Sequence, residues 1–276
     1  MLTKSGETAA PTARTALLAW KPTPTALAPV AVMAAASLLI FSARRLLPSA
    51  GLAGVIVWIV DLAYILLPLY FVVRKGGAGK ASLGSLGLTS QGLVPAALAG
   101  LALGLFLATA QVQQLSDAGK HIGLVFSVVW VTWVVSLVYH VFAEEMLYRA
   151  WFQKAFLPAF GIVPGIALAA VLYALAPLAL LGSDPSFPAE WQTPAGFLAK
   201  GFPMLAAMGL VLNMLYLAMR NIVASTVASA TILFPLGLVV DANPPSINPW
   251  LALALILALV FVAVQVYRKY LGIESR

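Results

Sequence analysis

Eight apolar runs, each close to the length that crosses a membrane, dominate this sequence. A spanning helix needs about 20 mostly apolar residues. Only 9% of the 276 residues are charged and 62% are hydrophobic, whereas soluble domains carry roughly 25% charged residues. A globule of this size cannot bury so much apolar surface, so we expect an all-α polytopic membrane helix bundle of about eight transmembrane helices. The runs cover residues 26–43, 51–73, 92–110, 122–147, 159–181, 197–219, 222–240 and 249–267.

The polar segments are too short to form a separate soluble domain, because none reaches typical domain length. We expect residues 1–22 to form a cytoplasmic N-terminal tail, residues 23–270 a single transmembrane bundle, and residues 271–276 a C-terminal tail. No cleavage pattern follows the first apolar run, which argues against a removed signal peptide. The absence of cysteine excludes disulfides, thiol catalysis and thiolate metal sites.

The basic residues lie between the apolar runs, as is typical of topology signals and not of a nucleic-acid-binding surface. If the N-terminus is cytoplasmic, twelve basic residues fall inside and four outside. This bias predicts that both termini are cytoplasmic, in a plasma (inner) membrane protein whose first partner is the lipid bilayer. The outer set is Arg44, Arg45, Lys120 and Lys200; the inner set is Lys4, Arg14, Lys21, Arg74, Lys75, Lys80, Arg149, Lys154, Arg220, Arg268, Lys269 and Arg276.

Five ionisable residues interrupt the apolar runs: Asp61, His140, Glu144, Glu145 and Arg149. Each costs about 2.5–3.5 kcal/mol to insert into a membrane, so each requires a reason. Asp61 lies in the second run, and the other four share one helix. That helix is predicted to continue to about residue 156, because neither Gly nor Pro interrupts residues 124–157.

The spacing on this helix divides the four residues between two faces. Glu145 and Arg149 are four apart and can pair, and so are His140 and Glu144 on a face rotated by about 100°. Since adjacent glutamates cannot point the same way, we expect one to be held by Arg149 and the other to face a cavity. A carboxylate in such a cavity is suited to general acid or base catalysis. The alternative interpretation is a purely structural ion-pair cluster.

The segment Glu144-Glu145-Met146-Leu147-Tyr148-Arg149 resembles the first motif of the CPBP family. These intramembrane metalloproteases include CAAX prenyl endopeptidases and the bacteriocin-processing Abi proteins. The resemblance extends over about residues 80–240, and Leu86-Gly87-Leu88 is similar to the family segment that precedes the third helix.

The resemblance implies roles for the motif residues. In the family, the first glutamate acts with a histidine on a following helix to activate water, and a second histidine with a nearby Asn or Asp stabilises the oxyanion. By position, Glu144 corresponds to the base, and Glu145 and Arg149 to its supporting pair.

Both family histidines are missing from this sequence. The second motif, Phe-x-x-x-His, aligns with the segment from Tyr173 to Pro177, and the third places Ser229 at the histidine and Leu233 at the Asn or Asp. Loss of such groups removes several kcal/mol of transition-state stabilisation. We therefore expect a degenerate, non-proteolytic member that binds a membrane protein or a hydrophobic peptide, and no nucleic acid.

Two ways of rebuilding the site stay open. His140 and Glu144 can supply two metal ligands, but a catalytic zinc needs three, and Asp61 is the only further candidate. A histidine satisfied by a neighbouring helix is favoured, so no cofactor is expected and zinc enters only if the site is rebuilt. Ser229 can replace a histidine as a hydrogen-bond donor, although we favour a packing role among small residues.

Three functions therefore compete. The first is the non-proteolytic member just described. The second is an active intramembrane endopeptidase that processes CAAX or leader peptides with His140, Ser229 or another group in the rebuilt site. The third is a proton or ion pathway through Asp61 and Glu144, because buried acids serve such relays.

Overall fold

The computed structural model describes residues 17–47, 50–75, 83–117, 128–180 and 189–235, and all structural statements concern these residues. They form helices joined by short connectors, and no strand occurs among them. The α-helices are α1 (Pro24–Leu46), α2 (Ala50–Lys75), α3 (Leu93–Asp117), α4 (Val128–Glu145), α5 (Gln153–Phe160), α6 (Ile162–Leu175), α7 (Pro194–Gly196), α8 (Phe202–Met219) and α9 (Ile222–Leu233). Met146–Phe152 and Phe197–Gly201 are π-helical, and Leu83–Leu86, Ala176–Leu180 and Ala189–Trp191 are 3₁₀-helical.

The all-α membrane bundle predicted from the apolar runs is confirmed, but its count of eight spans is not. Three described helices are long and apolar enough to cross a membrane: Pro24–Leu46, Gly51–Phe71 and Pro194–Met219. Three further apolar helices are shorter, at Leu93–Thr109, Ile162–Leu178 and Ile222–Leu233. At 1.5 Å per residue, the shortest falls well below the thickness of a bilayer core. The eighth predicted run, 249–267, lies outside the described residues.

One helix passes through the centre of the bundle and carries the charged motif. It continues without a break from Val128 to Phe160, as predicted, and ends at Gly161, whose φ of 88° no other residue type adopts readily. Its middle segment, Met146–Phe152, is π-helical, and all seven residues of this segment are buried. Helices that are buried on every side are typical of a bundle centre.

Small residues bring α3 and α9 into close contact. A Cβ on Gly100 would lie 2.2 Å from the carbonyl oxygen of Ala224, and one on Gly104 would lie 2.9 Å from that of Ala228. The two glycines are four apart and therefore lie on one face of α3. This face holds α9 against the bundle, and α9 in turn contacts α4.

The connector before α3 is joined to the turn between α8 and α9. Gly87 accepts a hydrogen bond from the backbone N–H of Ile222 over 3.0 Å. The Asn221 side chain accepts from the N–H of Val223 and donates to the carbonyl of Thr89. The start of α9 is thereby fixed relative to the central helix, because Ile222 also packs with Met146 and Ala150.

The chain before α1 lies against the bundle over residues 17–23, the N-terminal strap. The backbone N–H of Ala19 donates to Phe160, that of Lys21 donates to Ala159, and the carbonyl of Leu17 accepts from Val163. The last part of the predicted N-terminal tail is thus attached to the turn between α5 and α6.

Candidate functional site

The second glutamate of the motif is paired with the arginine, as the spacing predicted. Glu145 Oε2 lies 3.1 Å from Arg149 Nε, and both side chains are buried. The other oxygen of Glu145 accepts a 2.9 Å hydrogen bond from the Ser229 hydroxyl on α9. Our preference for a packing role of Ser229 was wrong: the side chain is buried, but its hydroxyl acts as a donor.

Arg149 has further donors that meet no acceptor among the described residues. Its Nη1 and Nη2 are buried without a hydrogen-bond partner there, as is the neighbouring Tyr148 hydroxyl. The guanidinium lies over the ring of Tyr173, 4.6 Å from the centroid, which is a favourable cation–π geometry. Arg149 is thus buried inside the bundle. Without it, eleven inner basic residues against four outer ones give the same bias.

The buried polar face extends one turn beyond Arg149. Gln153 donates to the side-chain oxygen of Asn213 over 2.9 Å, and Asn213 donates to the carbonyl of Ile166. Neither residue was predicted from the sequence. Their signals were the four-residue spacing after Arg149 and an amide within an otherwise apolar run.

The first glutamate of the motif belongs to a second cluster, which faces α2. The Asp61 carboxylate lies 2.9 and 3.0 Å from Nδ1 of His140. The other ring nitrogen, Nε2, lies 3.6 Å from Glu144. A histidine satisfied by a neighbouring helix was the favoured interpretation, and Asp61 is the residue that satisfies it.

This second cluster is accessible, in contrast to the first. The His140 side chain is 43% exposed and that of Glu144 is 24% exposed, whereas Asp61 is buried. Glu144 is thus partly exposed beside His140, between α2 and the central helix. We refer to this position as the Glu144 site.

The geometry of this cluster does not fit zinc. Asp61 occupies Nδ1 of His140, so a cation at Nε2 would meet only His140 and Glu144. Within the described ranges, no three His, Asp or Glu side chains are grouped so as to hold a metal ion. A catalytic zinc requires three protein ligands, and no step is therefore assigned to a metal.

The other aligned positions lie at the ends of their helices. Pro177 follows α6 in the 3₁₀ segment Ala176–Leu180, which packs against α1, and Leu233 is the last residue of α9. Tyr173 contacts Arg149, as described above, and forms an edge-to-face contact with Tyr148. Of the positions aligned with the family histidines, Ser229 has a defined contact with the motif, and that contact is to Glu145.

Apolar helices around a buried Glu–Arg pair and a partly exposed Asp–His–Glu cluster indicate an integral membrane protein. Residues 126–235 match the family described as type II CAAX prenyl endopeptidase Rce1-like. The match covers about two-fifths of the chain and includes the motif, the π-helical segment and α9. The resemblance found from the motif is confirmed for this segment, which is CAAX-protease-like. No curated protein matches the chain.

Proposed function

We propose that this CAAX-protease-type membrane protein binds a hydrophobic peptide or membrane-protein segment at the Glu144 site without cleaving it. The observation that carries the proposal is the contact of Ser229. At the position of a family histidine, Ser229 donates to Glu145 and completes a buried structural pair instead of serving Glu144.

The histidine content of the sequence supports the loss of the family chemistry. The only histidines are His121 and His140, and α6 and α9 carry none. Water activation by Glu144 would therefore proceed without imidazole groups from those helices. Removal of one preorganised oxyanion donor costs about 2.7–4 kcal/mol in well-studied hydrolases. In the family the second histidine is such a donor and the first helps to activate the water, so the loss of both predicts turnover too slow to serve peptide processing.

The partial exposure of Glu144 and His140 supports a binding role. The backbone N–H groups of a bound peptide can donate to the Glu144 carboxylate there, whereas Arg149 and Tyr148 are buried and out of reach.

The test uses the full chain in nanodiscs with a fluorescent prenylated CAAX-type peptide. Binding is measured by fluorescence anisotropy and cleavage by mass spectrometry. We expect saturable binding without a cleavage product, and an approximately ten-fold weaker Kd for Glu144→Gln, because one charge-assisted hydrogen bond contributes about 1.5–3 kcal/mol.

Glu190 provides a matched control. It is an exposed glutamate paired with Lys200 and far in sequence from the motif. Glu190→Gln should leave the Kd unchanged. A cleavage product that disappears in Glu144→Ala would refute the non-proteolytic function. Equal Kd values for the wild type and Glu144→Gln would refute the Glu144 site as the binding site.

A second candidate function, peptide hydrolysis, is favoured by the Asp61–His140–Glu144 arrangement. A carboxylate that orients one nitrogen of an imidazole while the other faces the reaction centre is how hydrolytic triads position a general base. In this mechanism His140 would relay a proton between Glu144 and the leaving amine.

This candidate predicts that His140→Gln and Asp61→Asn lower kcat while leaving the Kd for the peptide nearly unchanged. The absence of turnover over a broad library of hydrophobic peptides would exclude it.

The proton-pathway hypothesis uses the same three residues. It predicts that a pH jump across liposomes relaxes more slowly with Asp61→Asn than with the wild type, and equal rates would count against it.

A further inference from the structure

A cavity of about 440 Å³ lies away from the motif, between the N-terminal strap, the end of α2 and α5. One wall is apolar: Phe71 stacks on Trp151 with ring centroids 5.1 Å apart, and Ala28 and Pro158 complete it. The remaining lining is polar and basic, and consists of Lys21, Thr23, Thr25 and Lys154. We refer to it as the Lys21–Lys154 cavity.

The two lysines come together because the strap is fixed to the bundle. The backbone N–H of Lys21 donates to Ala159, one turn beyond Lys154 on the same helix. Neither lysine forms an ion pair with any carboxylate in the described part of the chain. Lys154 is half-buried, and this burial lowers the pKa of its ammonium group. An anion in the cavity would offset that cost, because buried charges are normally paired.

The Thr23 hydroxyl on the strap and the Thr25 hydroxyl in the first turn of α1 lie 2.8 Å apart. One hydroxyl donates to the other, so the pair leaves one O–H donor free. Two ammonium groups and this donor around one space match the several acceptor oxygens of a phosphate group. The partial positive charge at a helix start acts in the same direction.

Exposed apolar residues on the strap favour a position of the cavity near lipid headgroups. Leu17, Leu18 and Trp20 on the strap are 68%, 72% and 76% exposed. Exposed large apolar residues beside basic ones are typical of a segment that lies in the membrane interface. Lys21 and Lys154 both belong to the side that the basic residues predict to be cytoplasmic, where anionic lipids attract basic segments.

We propose that the Lys21–Lys154 cavity binds a phosphate group, supplied by the headgroup of an anionic phospholipid in the same leaflet. The acyl chains of that lipid would continue along the apolar wall of Phe71 and Trp151. The Lys21–Lys154 cavity is independent of the Glu144 site and of the function proposed for that site.

The test reconstitutes the full chain in nanodiscs of phosphatidylcholine and phosphatidylglycerol and counts retained lipids by native mass spectrometry. We expect enrichment of phosphatidylglycerol in the wild type. Lys21→Gln should reduce this enrichment about five-fold, the equivalent of about 1 kcal/mol per basic residue near an anionic surface. Lys21→Gln/Lys154→Gln should reduce it further, and Lys154→Arg should preserve it.

Lys200→Gln is the matched control, because Lys200 is exposed and already paired with Glu190. A second arm titrates inorganic phosphate into the protein in pure phosphatidylcholine nanodiscs and follows the ³¹P line width. Broadening there without phosphatidylglycerol enrichment assigns the site to a soluble phosphate and supports phosphate recognition. Neither enrichment nor broadening in the wild type, or an equal loss in Lys200→Gln, overturns the proposal. Lys21 is exposed, so its substitution leaves the fold intact and keeps the test decisive.

Discussion

The Ser229 hydroxyl donates a 2.9 Å hydrogen bond to Glu145, a residue 84 positions earlier in the chain. This contact joins α9 to the central helix at the point where Glu145 also meets Arg149. The acidic pair of the motif is thereby divided. Glu145 is bound inside the bundle, and Glu144 remains available beside His140.

Ser229→Ala is expected to lower the free energy of unfolding by about 1–3 kcal/mol, because Glu145 would keep a buried oxygen without a donor. Ser225→Ala is the control on the same helix: the Ser225 hydroxyl is also buried, but among the described residues it donates to the Ile222 carbonyl within α9 and to no other helix. Its loss should cost less. Thermal unfolding in detergent measures both, and equal losses would show that the Ser229 contact adds nothing specific.

Arg149→Met is expected to destabilise the protein by about 3–5 kcal/mol, since it leaves the Glu145 carboxylate buried and unpaired. The double variant Glu145→Gln/Arg149→Met should recover much of this loss, because neither buried charge remains. A double-mutant cycle on unfolding free energies checks the coupling. Simple additivity of the two single variants would mean that the pair is not energetically coupled.

Gly100→Ala is expected to cost about 1–3 kcal/mol, because the new methyl group would lie 2.2 Å from the carbonyl of Ala224 and would push α9 outward. Gly54→Ala on α2 is the matched control, since a Cβ added there would have no atom within 4 Å. At that position the better helix propensity of alanine should leave stability equal or slightly higher. Similar melting temperatures for the two variants would contradict close packing of α3 on α9.

Gly87→Ala is expected to destabilise the protein in two ways, through backbone strain and through steric overlap. Gly92→Ala measures the backbone strain alone. Gly87 has a φ of 76°, and an added Cβ would lie 2.8 Å from the ring of Tyr216. Gly92 has a similar φ of 70° but open space around it. Gly92→Ala should therefore cost about 1–2 kcal/mol from backbone strain alone, and Gly87→Ala should cost more. If denaturant unfolding shows a larger loss of unfolding free energy for Gly92→Ala than for Gly87→Ala, Gly87 has no packing role against Tyr216.

Local sequence rules predicted the part of the site that lies on one helix. The pairing of Glu145 with Arg149 and the shared face of His140 and Glu144 follow from four-residue spacing. The continuation of the helix past Arg149 follows from the absence of Gly and Pro in residues 124–157. The π-helical segment within it was not predicted, because the i→i+5 hydrogen bonds leave no distinct residue pattern.

Contacts between different helices could not be predicted from the spacing of residues along the sequence. Asp61 and His140 are 79 residues apart and Gln153 and Asn213 are 60 apart, so their pairing depends on how α2 and α8 pack against the central helix. The hydrogen bond of Ser229 could not be predicted either, because it depends on which face of α9 packs against Glu145.

The sequence by itself determined that this protein is an α-helical membrane bundle with one concentrated ionisable site, because apolar run length and charge depletion require lipid around the chain. It also determined that no histidine follows His140. Only the tertiary structure decided which acid is held and which is accessible, since that depends on the helices that surround the central one. The helical repeat alone does not distinguish one face of the central helix from another. Packing against neighbouring helices decides which face is buried and which is accessible.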